Sequence, residues 1–308
     1  MPWKNNTVVT EFILLGLSSD PRTQVILFFV FLLAYIITLI GNISIITLIL
    51  SDVSLHTPMY FFLGNLSFLD LCYSSSTVPR MLKDLMSVKK TISYAECATQ
   101  MFISLCLGQS ECILLAIMAY DRYLAIYYPL HYTTIMSNTV CVRLAIGTWI
   151  SGVPLSTSLV TITLNVNRCG NNEINHFLCE VPEIISLGCE NILFVEFIIF
   201  VICVSDLMIP VIFIVISYSQ IISCILKMKS AAGQWKAFST CGSHMMVVTM
   251  FYGSAMAAYM KPRSSSAAGT DKFIAIFYVV ITPMLNPLIY SLRNNDVKAA
   301  FLKCKMRL

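Results

Sequence analysis

The sequence predicts an all-α membrane protein, a bundle of seven transmembrane helices followed by a short amphipathic C-terminal helix. Its 308 residues are 57% hydrophobic and only 12% charged, which lies outside the usual range of soluble domains. About 20 apolar residues in a helix cross the hydrocarbon core of a bilayer. Stretches of this kind cover residues 24–50, 57–82, 97–119, 140–164, 192–226, 237–260 and 273–292.

Two of these stretches differ from the others. The second is the least apolar, because it contains charged residues such as Asp70. The fifth, residues 192–226, is long enough to extend beyond the membrane into the cytoplasm. None of the stretches alternates between polar and apolar residues as the strands of an outer-membrane barrel do.

A short helix is predicted after the seventh stretch, over residues 295–305. Val297, Phe301 and Cys304 fall on one face of that helix, and lysines fall elsewhere. This pattern is typical of an amphipathic helix that lies on the inner leaflet. Cys304 can carry a palmitoyl group there, and a free thiol beside the membrane is the alternative.

We expect one seven-transmembrane domain over residues 1–308. Its parts outside the membrane include an outer tail at 1–23, a long outer loop at 165–191 and an inner tail at 293–308. The first apolar stretch is too long for a cleaved signal peptide, so it should stay in the membrane as a signal-anchor. A loop of this length in a compact protein needs either a function or covalent cross-links.

The orientation is predicted from a glycosylation site and from cysteines. Lysine and arginine do not decide it, since each side of the membrane would receive ten of the twenty basic residues. Asn5 begins an N-glycosylation sequon on the exposed tail, which favours an N-terminus outside. An oxidising exterior also suits four cysteines, which allow three pairings that the sequence alone does not resolve. These are Cys97, Cys169, Cys179 and Cys189.

A charged triplet follows the third stretch, formed by Asp121, Arg122 and Tyr123. Charged side chains at the edge of a transmembrane helix are costly and usually mark function. In a resting protein the Asp121 carboxylate can hold the Arg122 guanidinium, and release of Arg122 would provide a two-state element. An ordinary interfacial ion pair is the alternative.

Two acidic side chains, Asp70 and Glu111, lie well inside transmembrane stretches without an adjacent base. Two buried carboxyl groups close together should share a proton or bind a cation, and Asn42 and Asn286 can complete a polar cluster. Hydrolysis by an acid–base pair would need a nucleophile or a set of metal ligands. The sequence offers neither, and its four histidines lack metal-ligand spacing, so we expect no enzyme, no metal site and no cofactor.

A proline interrupts the seventh stretch in the segment Asn286-Pro287-Leu288-Ile289-Tyr290. Proline removes one helical hydrogen bond, and the carbonyl that it frees must find another partner in the membrane. The helix end beyond such a break can swing and carry Tyr290 with it. A static kink is the alternative.

Five motifs together resemble the vertebrate odorant receptors, which are rhodopsin-like G-protein-coupled receptors. They are LHTPMYFFLGNLSFLD (55–70), MAYDRYLAIYYPLHY (118–132), SY (217–218), KAFSTCGSH (236–244) and PMLNPLIYSLRN (283–294). The resemblance covers essentially the whole chain. Tyr127 departs from it, because the family usually has cysteine there.

The resemblance implies a Cys97–Cys179 disulfide, a second between Cys169 and Cys189, and a sodium ion near Asp70 and Glu111. It also implies a switch for the G protein made of Asp121, Arg122, Tyr123, Tyr218, Asn286, Pro287 and Tyr290. Tyr252 would be the residue whose movement reports the ligand.

The predicted ligand pocket is mostly apolar, as small-molecule sites tend to be. It comprises Ser104, Leu105, Gly108, Gln109, Ile202, Cys203, Asp206, Leu207, Tyr252, Ala255, Met256, Tyr259, Ile276 and Val279. Asp206 has two interpretations that stay open. Its carboxyl group accepts a hydrogen bond from a hydroxyl or amine of the ligand, or it stays protonated against a neighbouring serine.

The function that the resemblance implies is an odorant receptor in the plasma membrane. Its partners would be a small hydrophobic volatile molecule, a stimulatory G protein of the olfactory type and membrane lipid, with no nucleic acid. The same receptor acting as a chemosensor outside the nose is one alternative. A transporter or channel is another, which the absence of matched halves in the sequence disfavours.

Overall fold

The computed structural model describes residues 11–168, 171–189, 192–260, 268–293 and 295–305, and most of them are helical. Six long helices and a seventh, composite one form a bundle. The six are α1 (Pro21–Ser51), α2 (Pro58–Leu85), α3 (Tyr94–Tyr127), α5 (Asn138–Leu164), α7 (Ile192–Leu226) and α8 (Ala231–Tyr259). Short helices α4 (Tyr132–Ile135) and α6 (Val181–Ile185) lie in connections.

The seventh span has three parts: α9 (Ala268–Ile276), a π-helical turn (Phe277–Ile281) and α10 (Thr282–Arg293). A π turn carries one extra residue and is frequent at functional sites. The sequence shows no signal for it. The predicted C-terminal helix is confirmed as α11 (Asn295–Lys305), which buries Val297 against the bundle and exposes Phe301.

Five of the described helices are long and apolar enough to span a membrane on composition alone. They are α1, α3, α5, α7 and the segment Gly269–Ser291. The other two spans, α2 and α8, are not apolar enough to meet this composition criterion, because they carry more polar residues. The sequence predicts this for the second span, where Asp70 lies, but not for the sixth.

Helices α1 and α3 begin earlier than hydropathy predicts, because capping side chains decide where they start. Asp20 caps α1 by accepting a hydrogen bond from the Thr23 amide at 2.9 Å. At the start of α3, Ser93 and Glu96 form a capping box, in which each side chain bonds the other residue's backbone. Both starts precede the first apolar residues by about one turn.

Helix α3 is central and packs against α2, α5, α7 and α8. Its contact with α5 is close at Gly152, where an added Cβ would lie 2.4 Å from the carbonyl oxygen of Cys106. Only glycine permits this approach of two backbones. The buried core of the bundle continues along the whole of α3, which therefore touches both ends of the molecule.

The N-terminal segment is folded across one end of the bundle, which we call the outer end. Strand β1 (Glu11–Leu14) pairs antiparallel with β2 (Thr91–Ser93) and parallel with β3 (Glu173–Ile174). Phe12 and Leu14 of β1 are buried. Within the segment expected as an exposed tail, residues 11–14 are therefore part of a three-stranded sheet.

The long loop is cross-linked to α3. Cys97 and Cys179 form the disulfide that the resemblance implies. Cys189 is also disulfide-bonded. Its expected partner, Cys169, and the glycosylation residue Asn5 lie outside the described residues.

Candidate functional site

A small cavity lies between α2, α3, α5, α7, α8 and the seventh span, and we call it the helix cavity. Its volume is about 80 Å³. Of the residues predicted to form a pocket, nine line it: Ser104, Leu105, Gly108, Ile202, Cys203, Asp206, Leu207, Ala255 and Tyr259. The predicted helices thus bring these side chains together around one space.

Five predicted pocket residues do not line the helix cavity: Gln109, Tyr252, Met256, Ile276 and Val279. Two of them contact residues that do. The Tyr252 hydroxyl donates a hydrogen bond to the carbonyl oxygen of Cys112 at 2.8 Å. Gln109 is a neighbour of the Asp206 carboxyl group, at which the sequence analysis considered a neighbouring serine.

The sequence analysis left other lining residues out of the pocket, namely Tyr73, Glu111, Cys112, Leu155, Leu159, Phe251 and Tyr278. Glu111 was predicted only as part of the polar cluster. In a membrane helix the face toward lipid and the face toward the bundle are both apolar, so hydropathy does not indicate which face turns inward. For Leu159 the sequence contains no other signal, whereas Tyr73 lies three residues after Asp70 and so shares its face of the helix.

A larger cavity, the loop cavity, lies between the long loop and the outer ends of α7, α8 and the seventh span. Its volume is about 620 Å³, and it shares Cys203, Tyr259 and Tyr278 with the helix cavity. Its walls are apolar at Leu193 and Phe197. Sequence analysis did not predict this cavity, because a loop without helical periodicity gives no indication of what it covers.

Three titratable side chains of the long loop line the loop cavity, namely His176, Glu180 and Glu183, and burial shifts the pKa of the first two. The Tyr278 hydroxyl donates a hydrogen bond to the Glu180 carboxyl group. Burial raises the pKa of Glu180 to about 7, since the charged carboxylate loses its hydration. Burial lowers the pKa of His176 to about 4 for the same reason, so its imidazole is neutral at physiological pH.

The predicted polar cluster is present in the middle of the bundle. Asn286 donates hydrogen bonds to both carboxyl oxygens of Asp70, at 3.2 and 3.0 Å. Glu111 lies near enough for its charge to act on Asp70. Asn42 donates to the carbonyl oxygens of Thr38 and Pro283.

Several oxygens of this cluster have no hydrogen-bond partner among the described residues: Oδ1 of Asn42 and Asn286, and Oε1 of Glu111. Buried oxygens of this kind are suited to a hard cation or to water. In the described chain no group of three or more histidine, cysteine or carboxyl side chains could hold a metal. Amide oxygens would therefore have to supply part of any cation's coordination.

At the inner end of α3, Asp121 and Arg122 do not pair with each other as expected. The Asp121 carboxylate accepts a hydrogen bond from the Tyr132 hydroxyl at 2.8 Å. The Arg122 guanidinium contacts the sulfur of Met59 on α2 instead. No ion pair joins Asp121 and Arg122 within the described part of the chain, since the connection after α3 folds back as α4 and brings Tyr132 to the carboxylate.

Other predicted switch residues connect α7, α8 and the seventh span near Arg122. The Tyr218 hydroxyl lies 2.8 Å from Nδ1 of His244, and their rings are stacked. Tyr290 is buried, and Pro287 lies within α10, where its ring faces Gly41 of α1. Tyr123 stacks on Tyr127 at the surface, with ring centroids 5.3 Å apart.

An apolar cavity near one end of α3 and an arginine near the other end of the same helix are the two parts that a seven-helix membrane receptor needs. The chain belongs to this class. Comparison with known proteins narrows the class. The sequence profile of the olfactory receptors matches residues 31–307.

Individual relatives are similar over almost their full length. Mouse olfactory receptor 5AR1 is 48% identical, over 98% of each chain. Human olfactory receptor 2D2 is 50% identical, also over 98% of each chain. Human putative olfactory receptor 2B3 is 49% identical over 100% of this chain and 98% of its own. This protein is therefore a member of the olfactory receptor family, a family of multi-pass G-protein-coupled receptors of the plasma membrane that are not enzymes.

Proposed function

We propose that this olfactory receptor binds small, mostly hydrophobic volatile molecules in the helix cavity and activates a stimulatory G protein of the olfactory type, which raises cAMP. The observation that carries the proposal is the position of the helix cavity. It adjoins Cys112, and Arg122 lies ten residues further along α3, about 15 Å away. One rigid helix thus joins the ligand to the G protein.

The size of the helix cavity supports a mechanism in which the ligand selects an expanded state. A dry cavity of about 150 Å³ in another protein just holds benzene. The helix cavity, at about 80 Å³, is smaller than this. A volatile ligand therefore binds a conformation in which the walls have moved apart, and its binding energy shifts the equilibrium toward that conformation.

The wall that moves is α8 in this proposal. Hydrogen bonds that join α8 to its neighbours include one from Tyr252 to the Cys112 carbonyl and those of the Tyr218 hydroxyl with His244 and the Cys241 carbonyl. A ligand that pushes Ala255 outward strains the Tyr252 bond. Loss of these bonds would release the inner half of α8 from α3 and α7 and open a surface beside Arg122 for the G protein.

The orientation and the polar cluster are part of the same proposal. Residues 1–23 and 165–191 face outside, and residues 293–308 face the cytoplasm. A sodium ion binds between Asp70 and Glu111 and stabilises the resting state. The sodium site is supported by the buried oxygens of the polar cluster that lack hydrogen-bond partners among the described residues.

The test is a cAMP reporter assay of the receptor in cells, with a broad odorant panel and with or without the olfactory stimulatory G protein. We expect some panel members to raise cAMP only when that G protein is present. Ligand-dependent current or substrate flux without any G protein would contradict the proposal and favour a channel or transporter.

A further inference from the structure

His176 lies in the long loop at the wall of the loop cavity, with only 1% of its surface exposed. Its ring stacks on Phe177, with centroids 4.7 Å apart. Its Nδ1 accepts a hydrogen bond from the Leu178 amide at 3.2 Å. An accepting Nδ1 carries no proton, so in the neutral imidazole the proton is on Nε2.

The Nε2–H group of His176 is a buried donor without a hydrogen-bond partner among the described residues. Nearly all buried donors in folded proteins are paired, because an unpaired one loses its hydration without a compensating bond. The structure holds this donor in one orientation through the Leu178 bond and the Phe177 stack. A ligand atom that accepts a hydrogen bond would recover the cost.

The chemistry of the loop cavity indicates which acceptor fits. Its volume of about 620 Å³ is in the range of small-molecule sites. Its described lining combines apolar side chains of α7 with four carboxyl side chains, those of Glu180, Glu183, Glu196 and Asp271. Those carboxyl groups repel an anion. Lys272, the nearby cation, already donates to the Gly16 carbonyl at 2.7 Å.

We propose that the loop cavity is a second binding site, for neutral small molecules whose carbonyl oxygen accepts a hydrogen bond from Nε2–H of His176. The site goes beyond the proposed function, whose ligand occupies the helix cavity, and it does not require a G protein. The shared wall of Cys203, Tyr259 and Tyr278 separates the two sites.

Two matched variants separate a ligand role of His176 from a structural one. His176→Asn places an amide oxygen near the position of Nδ1, so it can accept from Leu178 but lacks the outer donor. His176→Gln reaches the position of Nε2 with an amide that can donate, and it loses the Leu178 bond. A ligand role predicts that Asn weakens binding and Gln preserves it, whereas a structural role predicts the reverse.

The experiment uses the full receptor in lipid nanodiscs with ¹⁵N-labelled histidine. The chain has only four histidines, so the His176 signal is identified as the one that either variant, His176→Asn or His176→Gln, removes. Octanal, 2-octanone and ethyl hexanoate are the probes, and n-nonane is the control without an acceptor. We expect at least one carbonyl probe to shift the Nε2–H resonance of His176, and nonane to leave it unchanged.

Ligand-observed NMR measures affinity for the probe that shifts the signal. His176→Asn should weaken its binding by about 3- to 10-fold, the value of one hydrogen bond, while His176→Gln stays near wild type. The proposal is overturned if the His176 signal does not move with any of the three carbonyl probes, or if nonane shifts it equally. Both outcomes are measured on the wild-type receptor, so they hold even if one variant fails to fold. A shift without any odorant-driven cAMP supports this site and counts against G-protein activation. Odorant-driven cAMP without a shift of the His176 signal supports G-protein activation and counts against this second site.

Discussion

The hydroxyl of Tyr252 on α8 and the carbonyl oxygen of Cys112 on α3 are joined by a buried hydrogen bond of 2.8 Å. The bond ends at Cys112, which lines the helix cavity. It connects the helix that we propose to move with the helix that carries Arg122. Its strength therefore contributes to the balance between the resting and active states.

Tyr252→Phe removes this bond and keeps the ring. We expect basal cAMP to rise several-fold and the free energy of unfolding to fall by about 1 kcal/mol. Tyr35→Phe is the matched control, because the Tyr35 hydroxyl also joins two helices, at 3.0 Å from Ser75, but far from α8. Similar basal cAMP in both variants would contradict the proposal that the Tyr252 hydrogen bond stabilises the resting state.

Gly108 borders the helix cavity, and a Cβ added there would meet no other heavy atom within 4 Å. Gly108→Val fills part of the cavity, so EC50 values in the cAMP assay should rise about tenfold or more, most for the bulkiest agonists. Gly147→Val is the control, since Gly147 also lies in a helix with open space but faces away from the bundle. Equal agonist responses in the two variants would place the ligand elsewhere.

Arg122→Ala removes the guanidinium at the inner end of α3, which contacts Met59 in this structure. We expect agonist-driven cAMP to be abolished while surface expression, measured by an antibody to an N-terminal tag, persists. Arg143→Ala removes an exposed arginine of α5 and should signal normally. Full signalling by Arg122→Ala would refute its assignment as the switch.

Asp70→Asn tests the sodium proposal. An asparagine at this position can still accept from Asn286 but carries no charge to hold a cation. In wild-type membranes, replacing NaCl by choline chloride at equal ionic strength should raise basal activity, and the variant should show no such difference. Asp84→Asn, a buried carboxyl paired with Arg80 instead, should keep the wild-type sodium effect. A sodium effect that survives in Asp70→Asn would exclude this site.

Glu180 should make the receptor less stable as pH rises. Its pKa is about 7 in the folded state against an ordinary value of 4.5, so the folded state holds the proton more tightly. Stability is therefore lost progressively between about pH 4.5 and pH 7 as the buried carboxyl group ionises. His176 acts in the opposite direction, because its depressed pKa costs stability below about pH 6.5.

The measurement is the thermal unfolding midpoint of purified receptor at a series of pH values. Glu180→Gln keeps an acceptor for Tyr278 but has no carboxyl group to ionise. Between pH 5.5 and pH 7.5 its unfolding midpoint should therefore fall less than that of wild type. Glu173→Gln, at an exposed position of the same loop, should follow wild type. Identical profiles for Glu180→Gln and wild type would show that the carboxyl group is not buried in solution.

The sequence by itself determined the class, the number of helices and the family. Apolar runs of membrane length are a property of the chain alone, because each helix satisfies its own backbone hydrogen bonds in lipid. The Asp121-Arg122-Tyr123 triplet and the proline of Asn286-Pro287 were equally visible, since motifs are local. The Asp70–Asn286 pair was predicted because isolated polar groups in a membrane must meet each other.

Only the tertiary structure decided which side chains face each cavity and which partners they take. Leu159 reaches the helix cavity through the rotation of its helix, and a mostly apolar helix does not encode its rotation in hydropathy. Tyr132 displaces Arg122 as the partner of Asp121 because the chain reverses after α3. The strand at Glu11–Leu14 and the cavity beside His176 arise from pairings between segments distant in the chain, and local sequence patterns carry no information about these.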